Sequence, residues 1–136
     1  FMGQKDFQQF SIIRKLISDF QMPIQLVMCP TVREANGLAM SSRNVRLSPE
    51  AREKAGVIFN ILTSGKMLFE QKTPAKYVQD IALDALRKVN FDPEYFEVVN
   101  GYTLEPVEHM EDAEQIVACC AVKVEGVRLI DNMIWK

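Results

Sequence analysis

The chain has 136 residues and a formal net charge of -2; that is enough for one ordinary domain and the wrong charge for a dedicated nucleic-acid binder, which presents a strongly basic face. About half of the residues are hydrophobic and a quarter charged, the balance of a globular protein in water. No apolar run approaches the ~20 residues of a membrane helix, so neither nucleic acid nor membrane is an expected partner.

Residues 7–20 read as a helix. Phe10, Ile13, Ile17 and Phe20 recur at three- and four-residue spacing, and Asp6 is placed to cap the start. Ile24–Cys29 is short, apolar and partly β-branched. It reads as a strand buried on both faces, as in a parallel sheet, with Pro30 ending it. Helix followed by strand is half of a βαβ unit, whose first strand is expected before Phe1. Residues 31–47 form a long connection, TVREANGLAMSSRNVRL, and connections of that length are often functional. Ser48-Pro49-Glu50 starts a helix cleanly, with Ile58, Ile61, Leu62 and Phe69 as its stripe and Gly65 as its weak point. A second helix starts at Thr73-Pro74, with Val78, Ile81, Ala82, Ala85, Leu86 and Val89 on its buried face. Tyr95–Val99, Gln115–Val124 and Val127–Trp135 read as strands, the last two joined by a tight turn at Glu125-Gly126. A shorter strand near Thr103-Leu104 is compatible with the pattern. The expected fold is therefore α/β plus α+β: residues 1–45 as the tail of an α/β domain and residues 46–136 as a small unit of helices and antiparallel sheet.

Three cysteines, Cys29, Cys119 and Cys120, lack framework spacing and suggest reduced thiols in a cytoplasmic protein. Cys119 and Cys120 would face opposite sides of a strand. The single histidine, His109, lies in the polar stretch EHMEDAEQ and reads as a surface residue. No nucleophile stands beside a base, HExxH is absent, and no carboxylate cluster suits a metal. Chemistry in such a chain rests on positioning and charge stabilisation.

Two polar clusters could carry that chemistry. GQKDFQQ precedes the first helix, where ligands of α/β sheets sit. Gly3 allows close backbone approach, Lys5 brings a mobile charge, Asp6 can accept from a sugar hydroxyl, and one of Gln8 and Gln9 is expected to face the site. The same residues also suit a capped helix start in solvent. In GLAMSSRN, Ser41, Ser42 and Arg43 offer directional donors and a bidentate fork, as a phosphate cradle requires; a solvated turn would use the same residue types. Arg33 and Glu34 are expected to pair locally, and Val32 could present backbone to a flat ring. In RLIDN, Arg128 and Asp131 are three apart on a strand and so face opposite sides, which suits a sheet-edge or interdomain role.

GQKDFQQ, PTVREANGLAMSSRNVRLSPEAR, YFEVVN and VRLIDN occur in the order seen in the pantoate–β-alanine ligase family, which the whole chain resembles. The resemblance implies a Rossmann-like nucleotidyltransferase domain followed by a smaller C-terminal lid. It implies ATP-dependent joining of pantoate and β-alanine through pantoyl adenylate, releasing AMP and pyrophosphate, with Mg2+ accompanying ATP. MSSRN resembles a KMSKS loop: Ser41, Ser42 and Arg43 on the phosphates, Met40 beside the nucleotide. Lys5 resembles the lysine that neutralises the transferring phosphate, and Gly3 and Asp6 the ribose-binding pair. Gln9 resembles the pantoate-holding glutamine, and Val32 the residue whose backbone meets adenine. The partners implied are small molecules, with a homodimer for the full-length protein. One departure is large, because the family's histidine-bearing HIGH-type loop has no counterpart. The chain therefore looks like a C-terminal portion of such an enzyme, starting inside its catalytic domain and inactive alone. A non-catalytic binding or assembly module is the competing class, and an RNA-binding appendage fits the net charge poorly.

Overall fold

The structure is a computed structural model and describes residues 1–136. The strand β1 (Met2–Gly3) is followed by a 3-10 turn (Gln4–Asp6) and helix α1 (Phe7–Asp19), then β2 (Met28–Cys29). A 3-10 segment (Ser42–Arg46) precedes α2 (Pro49–Lys54), α3 (Val57–Glu70) and α4 (Ala75–Lys88). The strands β3 (Asp92–Asn100), β4 (Ile116–Val124) and β5 (Val127–Ile134) complete the chain. No helix is long and apolar enough to cross a membrane.

β3, β4 and β5 form an antiparallel sheet in that order. Glu125 and Gly126 both have positive φ, 49° and 75°, the backbone that a two-residue hairpin turn requires. The register therefore runs from Val124 opposite Val127 to Val117 opposite Ile134. β4 is central and apolar except for Lys123, and its alternate residues go to two different cores. Ile116, Ala118, Cys120 and Val122 join a cluster of 24 buried residues with α3 and α4, including Leu62, Phe69, Leu86 and Trp135. Val117 and Cys119 face the other way and meet Phe7 and Val99 in a cluster of 4. The sheet is thus sandwiched between helices on one face and the first turn of α1 on the other. The two adjacent cysteines do face opposite sides, as expected, and all three are free thiols. Burial pushes the Cys119 thiol up to about 12 and Cys120 higher still, so neither is a reactive thiolate.

Several expectations are corrected. The parallel partner of β2 includes β1, with Met2 opposite Met28 and Gly3 opposite Cys29, so the first strand of the βαβ unit reaches into this chain. Only Met28–Cys29 of the predicted strand is paired, with the Val27 carbonyl accepting from the Met2 N–H at 2.9 Å, and Ile24 is exposed. Only the N-terminal part of α1 packs: Phe7 and Phe10 are buried, whereas Ile12, Leu16 and Phe20 are exposed. The predicted helix after Ser48 is two helices. Asn36 Nδ2 donates to the carbonyls of Arg52 and Glu53, both at 2.9 Å, and so caps the end of α2. A Cβ on Gly56 would lie 2.3 Å from the Asn36 carbonyl oxygen, so the break is where the 31–47 connection crosses the helix. Gly65 is no weak point: a Cβ there would meet Trp135 at 3.0 Å, and the absent side chain makes room for the indole. Ile81 is exposed, outside the buried face of Val78, Ala82 and Leu86. Thr103-Leu104 is a turn, in which Asn100 Oδ1 accepts from the N–H groups of Tyr102 and Thr103 at 2.8 and 3.3 Å.

Candidate active site

The 31–47 connection has internal structure. Arg33 and Ala39 form an antiparallel bridge, the Met40 N–H donates to the Val32 carbonyl at 2.9 Å, and Gly37 makes the turn at φ 94°. The stretch doubles back and presents Met40–Arg43 at its end. Ser41 caps the 3-10 segment, its Oγ accepting from the Arg43 N–H at 3.2 Å. Asn44 is 1% exposed. Its Nδ2 donates to Glu34 Oε1 at 2.7 Å and to the Ala39 carbonyl at 3.1 Å.

Lys5 reaches this loop from the 3-10 turn before α1. Its Nζ donates to the Met40 carbonyl at 2.8 Å and more weakly to the Ala39 carbonyl at 3.4 Å. Burial lowers the Lys5 pKa from its ordinary value; Asp131 and Asp6 oppose that shift, while Arg43 and Arg33 reinforce it. Lys5, Asp6, Met40, Ser41, Ser42 and Arg43 line one cleft of about 310 Å³, closed on its third side by Arg128, Leu129 and Ile130 of β5. Three cations and one carboxylate face this cleft. Ser42 and Arg43 are exposed, so their donors are presented to solvent. Such a set of donors suits a polyanion: Arg can fork onto two oxygens and Lys supplies a point charge.

Not every expected residue is in this cleft. Gln9 lies in an adjoining cavity of about 130 Å³, which shares Lys5 and Asp6 and also includes Tyr95, Cys119 and Asn132. Gln8 lines the same cavity, so both glutamines face it, where one was expected. Gly3 is exposed, with open space where a Cβ would be, and Val32 is exposed with its carbonyl already engaged by Met40; neither lines the cleft. His109 is exposed, with its N–H donating to the Asp112 carboxylate at 2.8 Å, and belongs to a different part of the surface, with Phe69 and Glu70.

The ion pairs differ from expectation. Arg33 and Glu34 do not pair with each other. Residues adjacent on an extended segment point to opposite sides, and each finds a distant partner. Glu34 binds Arg52 of α2 through two contacts of 2.8 and 2.9 Å. Arg33 makes a two-pronged pair with Asp131 of β5 at 2.6 and 3.0 Å, donates to the Gly37 carbonyl at 3.0 Å, and stacks over Phe59 at 4.1 Å. Arg128 is on the opposite face from Asp131, as expected, and pairs with Glu94 at 2.7 Å. The cleft role of Arg128 and the anchoring roles of Arg33, Asn44 and Asn132 were not assigned from sequence; Asp131 was expected in a sheet-edge or interdomain role. The signal for the anchors lay in polar residues within otherwise apolar or turn-forming stretches.

Mg2+ is implied by the family resemblance. No group of three or more His, Cys, Asp or Glu side chains comes together to hold a metal. Asp6 is the only carboxylate lining the cleft, and both Asp131 oxygens are engaged by Arg33. These residues do not fit a protein-held magnesium ion.

A family-level sequence comparison matches residues 1–134 to Pantoate-beta-alanine ligase. Among curated relatives, the pantothenate synthetase of Bacteroides fragilis is 41% identical over 139 residues, covering 100% of this chain and 48% of that protein. That of Azobacteroides pseudotrichonymphae is 38% identical, covering 99% and 48%. The chain thus spans about half the length of the curated relatives it matches. A crystal structure of the Thermus thermophilus pantothenate synthetase superposes with a TM-score of 0.88 at 36% identity, over 98% of this chain and 48% of that one. The Francisella tularensis pantoate-beta-alanine ligase, complexed with beta-gamma ATP and beta-alanine, superposes with a TM-score of 0.67 at 26% identity, over 98% and 42%. With a match from end to end in sequence and in fold, the chain belongs to the pantoate–β-alanine ligase family.

Proposed function

We propose that this chain supplies one side of the active site of an enzyme that joins pantoate and β-alanine at the expense of ATP. The observation that carries the reading is convergence: Lys5 and Ser41–Arg43, more than 30 positions apart in sequence, meet at one cleft. The pantoate carboxylate attacks the α-phosphate of ATP, giving pantoyl adenylate and pyrophosphate. The β-alanine amine then attacks the acyl carbon, giving pantothenate and AMP. Substrate groups act as both nucleophiles, so the chain needs no nucleophile of its own. Its task is to hold phosphoryl oxygens while charge moves across them.

Ser41, Ser42 and Arg43 hold the phosphates, with Met40 beside the nucleotide. Lys5 neutralises the transferring phosphate. Asp6 and the backbone at Gly3 meet the ribose, and Gln9 holds pantoate from the adjoining cavity. The Val32 backbone meets adenine, its carbonyl already accepting one hydrogen bond from Met40. Mg2+ would arrive on the phosphates rather than in a cage of side chains. In this reading residues 1–45 end the nucleotide-binding domain and residues 46–136 form its lid. The full-length protein is a cytoplasmic homodimer, for which the three free thiols are suited.

Calorimetric titration with ATP tests the phosphate grip. Arg43→Ala is expected to weaken binding about tenfold, the scale of a lost charged hydrogen bond; unchanged affinity would reject the assignment. The chain by itself is expected to form no pantothenate from pantoate, β-alanine and ATP, because it carries a single histidine and that residue is remote from the cleft. Robust turnover by this polypeptide would refute that expectation.

A further inference from the structure

Arg128, Leu129 and Ile130 of the VRLIDN segment close one side of the cleft, and its last two residues bind the chain segments that bring in the other two sides. On β5, Asp131 and Asn132 are successive, so their side chains leave opposite faces of the sheet. Asp131 takes Arg33 on one face, fixing the base of the connection that ends in Ser41–Arg43. Asn132 works on the other. Its Nδ2 donates to the carbonyls of Gln4 and Lys5, both at 2.9 Å, and its Oδ1 accepts from Gln4 Nε2 at 3.3 Å. It is 2% exposed, with both amide ends engaged.

We propose that Asn132 is a positioning residue for Lys5: by binding the main chain of the Gln4–Asp6 turn to β5, it sets where the lysine amine stands relative to the Ser41–Arg43 loop. This deepens the ATP-site reading and rests on it for its functional consequence. The geometry closes as a ring. Asn132 holds the turn, the turn projects Lys5, Lys5 donates to Met40, and the Met40 N–H bonds to Val32 beside Arg33, which returns to Asp131. The turn and the loop are separated by more than 30 residues, so their spacing is set by what both of them bind. One strand dipeptide binds both. The two carbonyls that Asn132 binds belong to the peptide groups on either side of the Lys5 Cα, so the bond fixes the backbone from which the amine projects. Asn suits the task because one amide group donates twice and accepts at the same time, within a single short, two-torsion side chain.

The test uses the whole 136-residue chain. The Lys5 amine is titrated by NMR in the parent and in Asn132→Ala, with Asn132→Ser as the milder variant if alanine prevents folding. In the parent, the groups acting on Lys5 are Asp131, Asp6, Arg43 and Arg33, and burial is the largest influence. Freeing the turn hydrates the amine and is expected to move its titration upward, towards ordinary lysine. Affinity for ATP is expected to fall about tenfold, ~1.4 kcal/mol, but to change less than about twofold when the same substitution is made in a Lys5→Ala background, as coupled residues require. An unchanged Lys5 titration in a folded variant overturns the proposal. So does an equal loss of ATP affinity with and without Lys5, which would mean that Asn132 acts by another route. If the parent binds no ATP, the ATP-site reading fails, and the Lys5 titration still decides the positioning claim.

Discussion

Asp131→Ala is expected to destabilise the chain by about 3–5 kcal/mol, the cost of removing one partner from a buried ion pair. The Asp131 side chain is 3% exposed and that of Arg33 18%, so little water is available to replace the lost carboxylate. The guanidinium would keep the Gly37 carbonyl and the Phe59 ring, but its two strongest contacts would be gone. Asp131 Oδ1 also accepts from the Asn132 N–H at 2.8 Å, and that donor on the edge strand β5 would lose its partner. Lys15 and Asp19 provide the control, an exposed pair at 2.9 Å on α1. Asp19→Ala should cost no more than about 0.5 kcal/mol. Urea denaturation of the three proteins measures both values, a shift in midpoint at constant slope reporting stability. A loss below about 1 kcal/mol for Asp131→Ala would show that the pair contributes little beyond its desolvation cost.

Lys5→Ala is expected to reduce turnover by about 10²–10³, the scale of losing one preorganised donor to a developing anion. The measurement needs both halves of the family fold. A chimera in which the Bacteroides fragilis relative supplies the preceding half provides them. The amine is held against the Met40 carbonyl, beside the exposed Arg43, so its charge is in place before any phosphate arrives. It is half-buried among Asp6, Asp131, Arg33 and Arg43, and its field is therefore screened less than that of a surface lysine. Lys76, on α4 and paired with Asp80, is the matched control and should change turnover less than about twofold. Thermal stability should move little, since Lys5 belongs to neither apolar cluster. A fall of less than about fivefold would remove Lys5 from the phosphate-neutralising role.

The strands and helices of the second half were legible because their signals are local. Ser48-Pro49-Glu50 caps a helix whatever surrounds it, and the Ser48 Oγ does accept from the Ala51 N–H. Glu125-Gly126 dictates a tight hairpin by backbone sterics alone. The misreadings came from tertiary context. Gly56 looks unremarkable in a helical pattern, yet a loop carbonyl from Asn36 occupies the space of its absent side chain. Arg33 and Glu34 look like a local pair, but extended backbone sends them to β5 and α2. The cleft residues Lys5 and Ser41–Arg43 were found as separate clusters by their chemistry, and the resemblance to a family joined them. The anchors Asn44 and Asn132 escaped because a buried polar residue declares itself only when its partners are known, and those of Asn132 are more than 120 positions away.

The two faces of the sheet are held very unequally. One rests on 24 buried residues, the other on 4 centred on Phe7, and Lys5 is on the thin side, two residues from Phe7. Sub-global opening draws on regions of few buried contacts. In this chain the α1 layer is therefore expected to open before the larger core does, and to take the cleft apart with it. A ligand that bridges Lys5 and Arg43 binds only the docked arrangement and by mass action holds it shut. Protection of the α1 amides against hydrogen exchange is then a property of occupancy as much as of fold.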